Sequence, residues 1–264
     1  MVRVGIIIVI VAVFAAVAGP FLCPYDGSAQ ELARRLEAPS LAHPLGLDEL
    51  GRDILARLLQ GARISLMVGI AVVSVSSAAG MLFGSIAGYF GGRVDDLISR
   101  VIDVLMAFPG ILLAIALVAV LGPSLVNVVL ALSVIGWVGY ARLVRGQALR
   151  AREFEFVQAA RACGASSARI VLRHILPTAI PAVVVQATLG MAGAIIAEAA
   201  LSFLGLGVQP PTPSWGTMLD AGRAHLFDAP HLTIFPGLAI ATLVLGFNFL
   251  GDGLRDRVDP KMVG

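Results

Sequence analysis

Charge is scarce in this sequence of 264 residues. Asp, Glu, Lys and Arg together make up 14% of the chain, whereas a soluble domain carries about 25%. Hydrophobic residues account for 58% of the chain, and the mean hydropathy is +0.91. So few charges cannot cover a folded domain with a solvated surface, and the composition therefore predicts a membrane protein.

Lysine is almost absent, because the chain has only Lys261, which is followed by Met. A P-loop needs a Gly-Lys pair followed by Ser or Thr, so a Walker A motif is excluded. The 4 His residues are scattered, no Cys/His cluster has metal-site spacing, and a G-x-S-x-G elbow is missing. We therefore expect no catalytic residue in this chain, and no metal or cofactor bound by it.

Cysteine is also rare, with only Cys23 and Cys163 present. The topology predicted below places the two thiols on opposite sides of the membrane. A disulfide between them would then be impossible, and we expect two free thiols without a shared role.

Six apolar windows are long enough to cross a bilayer, which takes about 20 residues each. Because a helix satisfies its own backbone groups in lipid, the chain is predicted to be an all-α polytopic membrane protein with six transmembrane helices. The predicted spans are 4–22, 64–90, 101–121, 124–144, 178–206 and 232–250.

The positive charges predict the orientation of the chain. Of the 19 Lys and Arg, 13 fall at the two ends or in the second and fourth connections, which the positive-inside rule places in the cytoplasm together with both termini. These residues are Arg3, Arg93, Arg100, Arg142, Arg145, Arg150, Arg152, Arg161, Arg169, Arg173, Arg255, Arg257 and Lys261.

The first helix has an alternative interpretation as a cleaved secretory signal, because Ala16-Val17-Ala18 resembles a cleavage site. The long apolar run and the following Gly19-Pro20 favour a retained span.

The segment 43–66 is predicted to contain an amphipathic helix, since Leu50, Ile54 and Leu58 recur at helical spacing and Gly61 is placed to end it. It would lie at the outer interface, either as a lid packed on the bundle or as a docking surface for an extracytoplasmic partner.

Asp53 and Arg57 have the spacing of an ion pair on this helix. We divide the chain into 1–63, the first span with this extracytoplasmic segment, and 64–264, a five-helix core with a polar loop at 153–177.

Glycine and proline mark three spans. Gly80, Gly84 and Gly88 form a double G-x-x-x-G, which favours close packing inside the protein over dimerisation. Pro109 should kink the third span and offers a hinge, and Pro177 opens the fifth span.

Few polar side chains fall inside the spans. Glu198 either contacts a cationic group of the cargo, or closes an outer gate, or accepts hydrogen bonds from a neighbouring helix. Asn127, Gln186 and Met191 are further candidates for a translocation path, because they are polar or soft residues within spans.

The loop 153–177 is predicted to be a helix, a glycine turn and a second helix. Gly164 has the position of a left-handed residue after the first helix, and Ser166 or Ser167 can cap the second. Its small alanine face suits a groove on a partner, although an ordinary basic loop anchoring two helices is the alternative.

This loop resembles the EAA loop of ABC importer permeases, whose pattern is E-A-A-x(3)-G-x(9)-I-x-L-P. Gln158 and His174 depart from the pattern, and the loss of the Glu puts a salt bridge from that position in doubt. The positions that fit its spacing are Gln158, Ala159, Ala160, Gly164, Leu176 and Pro177.

The segments 43–66, 197–219 and 248–260 resemble the second permease subunit of the dipeptide/oligopeptide/nickel branch, although Leu47 stands where Thr or Asn is usual. The resemblance implies a type I importer fold, a sister permease, two ATPases that hold ATP and Mg, and an external binding protein. It also implies a helix that couples this chain to one ATPase through Glu153, Phe154, Glu155, Phe156, Val157, Gln158, Ala159, Ala160, Arg161, Gly164 and Ala165.

The implied cargo is a peptide, with dipeptides first, while oligopeptides, nickel chelates, glutathione and haem remain open. No nucleic acid is expected as a partner. Two other classes compete with this interpretation. An ion-coupled secondary transporter should show inverted repeats and polar broken helices, which we do not find in the sequence. A purely structural membrane subunit would not explain the EAA spacing.

Overall fold

The structure, a computed structural model, describes residues 1–258, so Lys261 and the rest of the predicted tail lie outside the described residues. Within that range the regular secondary structure is helical, apart from an isolated bridge between Leu47 and Asp53. A π-helical turn, Val171–Ile175, joins the seventh helix to the eighth. The α-helices are α1 Val2–Leu22, α2 Ile54–Phe90, α3 Gly92–Met106, α4 Gly110–Leu121, α5 Leu125–Ala151, α6 Glu155–Ala162, α7 Ser167–Ile170, α8 Leu176–Phe203, α9 Trp215–Gly222 and α10 His231–Val258.

Five helical segments of the described chain are long and apolar enough to cross a membrane. They are α1, α2, α5, α10 and the run from α7 through α8. Helices α3 and α4 meet the same criterion only as a pair, bent by 86°. With that pair counted as one span, the chain has the six spans that the sequence predicts.

Successive spans run in opposite directions, so their connections fall on two faces. The near face carries the start of α1, the turn at 91 and the loop 152–175. The far face carries the connections 23–53 and 204–230.

The third span is two helices rather than one kinked helix, which corrects the prediction for Pro109. Helix α3 ends at Met106, and α4 begins at Gly110 with Pro109 as its N-cap residue. Proline lacks the N–H group and clashes with the preceding turn, and the glycine after it does not favour continuation. We call residues 107–109 the elbow.

Helix α2 does not end at Gly61, so that prediction is wrong. The helix continues from Ile54 to Phe90, across the division that the sequence suggested at 63/64. A Cβ at Gly61 would lie 2.8 Å from Cδ1 of Trp215 on α9. Glycine is needed here because α9 packs closely, and not because the helix stops.

Asp53 caps α2 instead of pairing with Arg57. Its carboxylate accepts a hydrogen bond from the Ala56 N–H at 2.8 Å and lies 2.9 Å from Nδ1 of His43. Arg57 pairs with Asp48, with 3.4 Å between Nε and Oδ2. The ion pair predicted within the helix is therefore replaced by contacts between the helix start and the far-face loop.

The far-face loop is held by a further charge pair. Arg34 donates to both carboxylate oxygens of Glu37, at 2.7 and 3.0 Å, and its Nη1 lies 3.1 Å from Nε2 of His43. The Arg34 guanidinium holds the pKa of the Glu37 carboxyl below its usual range. This chain of contacts continues through His43 to the Asp53 cap of α2.

The three glycines of α2 face α5. A Cβ at Gly84 would lie 2.5 Å from the carbonyl oxygen of Ala141, and one at Gly88 would lie 2.6 Å from Cβ of Ala148. At Gly80 a Cβ would overlap the Tyr140 side chain. Helices α2 and α5 therefore approach each other closely, because α2 has no side chain at these three positions.

Candidate functional site

The polar loop on the near face folds as a helix, a glycine turn and a second helix. Helix α6 has Phe154 as its N-cap residue, and Gly164 follows it with φ +78°. The Gly164 N–H donates to the Arg161 carbonyl and the Ala165 N–H donates to the Ala160 carbonyl, both at 3.0 Å. These two bonds are those of a Schellman motif, which fixes the direction in which the chain leaves α6.

Helix α7 is capped by Ser166, whose hydroxyl accepts from the Arg169 N–H at 3.4 Å. The π-helical turn Val171–Ile175 follows, and Pro177 is the second residue of α8. Because Pro177 has no N–H to give to the carbonyl of residue 173, the turn before it is free to widen. The chain thus passes from the loop into the fifth span without a break.

Val157 faces the protein and not a partner, which corrects its predicted role as an apolar anchor. Its side chain is 0% exposed. It therefore attaches α6 to the bundle, in a buried cluster with Tyr89, Ala148, Ala151, Ile170 and Ile175.

The opposite side of α6 is open. Phe154 and Phe156 are 42% and 49% exposed, and their ring centroids lie 5.5 Å apart. Glu155, Gln158 and Ala159 are exposed beside them. We call these five residues the coupling surface, an aromatic pair bordered by one carboxylate, one amide and a small residue.

The remaining predicted coupling residues lie next to this surface. Arg161 places its guanidinium 5.5 Å from the Tyr89 ring centroid. Glu153 pairs with Arg152 at 2.9 Å, and the Gln158 amide donates to the Glu153 carbonyl at 3.2 Å. These side chains border an open cavity of about 730 Å³ on the near face.

Glu198 lies inside the protein and is fully buried. Its carboxylate accepts hydrogen bonds from Ser202 at 2.7 Å and from Ser65 of α2 at 3.3 Å. The geometry therefore favours the structural alternative, in which Glu198 accepts bonds from a neighbouring helix, over contact with cargo.

Two further path candidates, Asn127 and Met191, make contacts within the protein. The Asn127 amide donates to the carbonyls of Leu121 and Gly122, both at 2.9 Å, and so closes the turn between α4 and α5. Met191 is buried in the core, where a Cβ at Gly69 would meet its methyl group at 2.9 Å. Their role in a translocation path stays a prediction.

Gln186 is different, because it lines a cavity of about 300 Å³ between α2, α4, α5 and α8. Ser76, Tyr140 and Gly110 also line this cavity, and none of the three was predicted to line a path. The break at Pro109-Gly110 was the available signal, because a helix that starts inside a span directs its free N–H groups into the protein. Among residues 1–258, no group of three or more His, Cys, Asp or Glu is placed to hold a metal ion.

Comparison with known sequences gives consistent results. Residues 80–264 match the family described as binding-protein-dependent transport system inner membrane component. The chain is 47% identical over 259 residues to the dipeptide transport system permease protein DppC of Alkalihalophilus pseudofirmus, covering 98% of this chain and 85% of that protein. It is 49% identical over 260 residues to the glutathione transport system permease protein GsiD of Shigella dysenteriae serotype 1, covering 98% and 84%.

Solved structures share the fold. An inward-facing structure of the MetNI methionine ABC transporter matches with a TM-score of 0.61 and 19% identity, covering 77% of this chain and 97% of that chain. A crystal structure of an amino acid ABC transporter with histidines matches with a TM-score of 0.57 and 15% identity, covering 76% and 94%.

Proposed function

Because the chain belongs to the family of binding-protein-dependent transport system inner membrane components, we propose that it forms half of the translocation path of an ATP-driven peptide importer. In this proposal a sister permease forms the other half of the path. Two ATPases bind on the near face, where they hold ATP and Mg. An extracytoplasmic binding protein delivers cargo to the far face. The chain itself is non-catalytic, and its role is to transmit movement between the ATPases and the path.

The observation that carries this proposal is the coupling surface. Two large aromatic side chains, Phe154 and Phe156, stay about half exposed on a short helix that the Val157 cluster holds firmly to the bundle. Exposed aromatic residues on a rigid support are typical anchors of an interface. An ATPase groove that receives this helix would move α2, α5 and α8 as one body.

The near face is cytoplasmic in this proposal, and both termini lie there. The charge bias of the sequence supports this orientation, because the loop 152–175 concentrates arginine on the near face. The far-face loops would then face the binding protein.

Dipeptides are the first choice of cargo. The likeness to a dipeptide permease supports them, and the likeness to a glutathione permease makes glutathione, itself a small peptide, the nearest alternative. Nickel chelates and haem fit the same role but have less support.

The test is to purify the tagged chain from its own membranes in mild detergent and to identify its partners by mass spectrometry. We expect a P-loop ATPase and a second permease with the wild type. Gly164→Pro should lose the ATPase and keep the permease, because proline cannot adopt φ +78°. Phe156→Ala should have the same effect, because it removes one of the two exposed rings of the coupling surface. Phe227→Ala, which removes a fully exposed ring on the far face, is the matched control and should keep both. A chain that purifies alone, or an ATPase that stays with both variants, would refute the coupling role.

A further inference from the structure

The cavity of about 300 Å³ that Gly110 and Gln186 line, just after the elbow, lies near the middle of the membrane, and we call it the cavity at the elbow. A Cβ at Gly110 would lie 3.2 Å from Cγ2 of Ile135. Ile135 stands ten residues after Leu125, the first residue of α5, and so about 15 Å along that helix. This is about half of the roughly 30 Å hydrocarbon core.

The same depth follows from the length of α4. Its 12 residues span only about 18 Å, so the helix cannot start at one membrane surface and end at the other. Its C-terminal end joins the start of α5 through the short turn 122–124, so the N-terminus is the end that opens inside the membrane, where water is scarce and unpaired N–H groups are costly.

The N-terminus of α4 lacks a side-chain cap. Its N-cap residue is Pro109, which makes no capping hydrogen bond. Gly110 and Ile111, the first two residues of the helix, line the cavity. The first N–H groups of a helix have no partner within it and carry the positive end of the helix dipole. Such an end favours an anion.

Ser76 supplies a second, independent donor. Its side chain is 1% exposed, lines the cavity and has no hydrogen-bond partner for its Oγ. It packs directly against Gly136 of α5, where a Cβ would overlap the hydroxyl. A buried hydroxyl without a partner is rare, and it indicates that a ligand or water completes this site.

The other polar groups of the cavity are also uncharged. The Tyr140 hydroxyl lies 3.4 Å from the Gln186 carbonyl, to which it donates. Gln186 also lines the cavity, and none of the described lining residues is Asp, Glu, Lys or Arg. The volume of about 300 Å³ is room for about ten water molecules, which suits one end of a peptide and not a whole oligopeptide.

We propose that this cavity binds the C-terminal carboxylate of a peptide during translocation, through the N–H groups of α4, the Ser76 hydroxyl and the Gln186 amide. The inference rests on the proposed peptide cargo and assigns it a contact in the path. Neutral donors and a helix end hold a carboxylate without the strong attraction of an arginine. Cargo is therefore retained briefly and released, as a transport path requires.

The test uses the complete transporter, with sister permease, ATPases and binding protein, reconstituted in proteoliposomes. ATP-driven uptake of dialanine is measured first. Binding of dialanine to the same membrane complex without the binding protein is measured next, with dialanine amide as competitor. Ser76→Ala and Gln186→Met should each raise the dissociation constant for dialanine about tenfold, the effect of one lost hydrogen bond to a charged group. The amide should compete poorly with the wild type.

Ser133→Ala is the matched control. Like Ser76 of α2, Ser133 of α5 has a buried hydroxyl without a hydrogen-bond partner, but it is not among the residues that line the cavity. The Ser133→Ala complex should bind dialanine like the wild type. In every preparation the amount of dialanine bound is divided by the ATPase activity, which measures how much complex is assembled. Uptake of dialanine with unchanged binding in both variants, or equal competition by the amide, would overturn the carboxylate site and leave the proposed function intact. A wild type that imports no dialanine would instead refute the dipeptide cargo, and with it this inference.

Discussion

Pro20 removes a hydrogen bond from α1, and Arg63 replaces it. Without an N–H at residue 20, the carbonyl of Ala16 has no donor in its own helix. The Arg63 guanidinium donates to that carbonyl and, at 2.8 Å, to the carbonyl of Val17. It also lies 4.9 Å from the Phe21 ring centroid. One side chain of α2 therefore satisfies and holds the far end of α1.

Arg63→Ala should loosen this end of α1 and lower the free energy of unfolding by about 0.5–2 kcal/mol, since a freed carbonyl in a membrane span loses its partner. Pro20→Ala restores the donor within α1, so Arg63→Ala should cost less in that background. A double-mutant cycle on thermal unfolding of the purified chain measures the difference. Equal costs in both backgrounds would show that Arg63 does not compensate for Pro20.

Glu198→Gln should preserve both folding and transport, because the amide oxygen can still accept from one of the two serines, Ser202 or Ser65, while the amide NH2 can donate to the hydroxyl oxygen of the other. Glu198→Leu should lower the stability by about 1–3 kcal/mol for each hydroxyl left unsatisfied. Thermal unfolding and uptake measured on the same preparations separate these effects. A folded Gln variant without transport would give the charge of Glu198 a functional role after all.

The residue scale also shows what the sequence cannot reveal. A carboxylate inside an apolar run is easy to see, but its partner Ser65 lies 133 positions away in the chain. Val157 likewise has helical spacing with Phe154, and only the packing of five distant residues decides that it faces inward. Local pattern identifies such side chains, whereas tertiary packing assigns their roles.

At the scale of helices, the prediction succeeded where the signal was local. The spans follow from long apolar runs, and the turn after α6 follows from one glycine that must adopt φ +78°. Gly61 gave the same signal in the sequence, but the helix end predicted there is wrong. The Trp215 ring from α9 occupies the space that a side chain at Gly61 would fill. A glycine thus ends a helix or admits a neighbour, and the chain around it does not distinguish the two.

Gly84→Ala should destabilise the α2–α5 contact by about 1–3 kcal/mol, because its Cβ would lie 2.5 Å from a backbone carbonyl that cannot move aside. Gly146→Ala on α5 is the matched control, since a Cβ there meets no atom within 4 Å. Alanine is the better helix former by about 1 kcal/mol, so this control should be neutral or stabilising. Thermal unfolding of both variants in one detergent tests the contrast, and equal destabilisation would argue against close α2–α5 packing.

On the scale of the whole molecule, the Val157 cluster joins the coupling surface to three spans. Its members come from the ends of α2 and α5, from α7 and from the turn that leads into α8. A displacement of α6 is therefore passed to packed helices and not absorbed by a flexible loop. The cavity at the elbow lies between the same three spans and α4.

The topology itself can be tested with the two native cysteines. Cys23 follows α1 on the far face and is partly exposed, while Cys163 is exposed at the end of α6 on the near face. In intact cells, a membrane-impermeant maleimide should label Cys163→Ser, through the remaining Cys23, and should not label Cys23→Ser. Inside-out vesicles should reverse the pattern.

The same thiols test the docking of the ATPase. Because an ATPase seated on α6 would cover Cys163, labelling in the inside-out vesicles should also be faster when the ATPases are not expressed. Labelling of both thiols from one side would overturn the six-span arrangement. An unchanged labelling rate without the ATPases would argue that the ATPase does not bind at the coupling surface of α6.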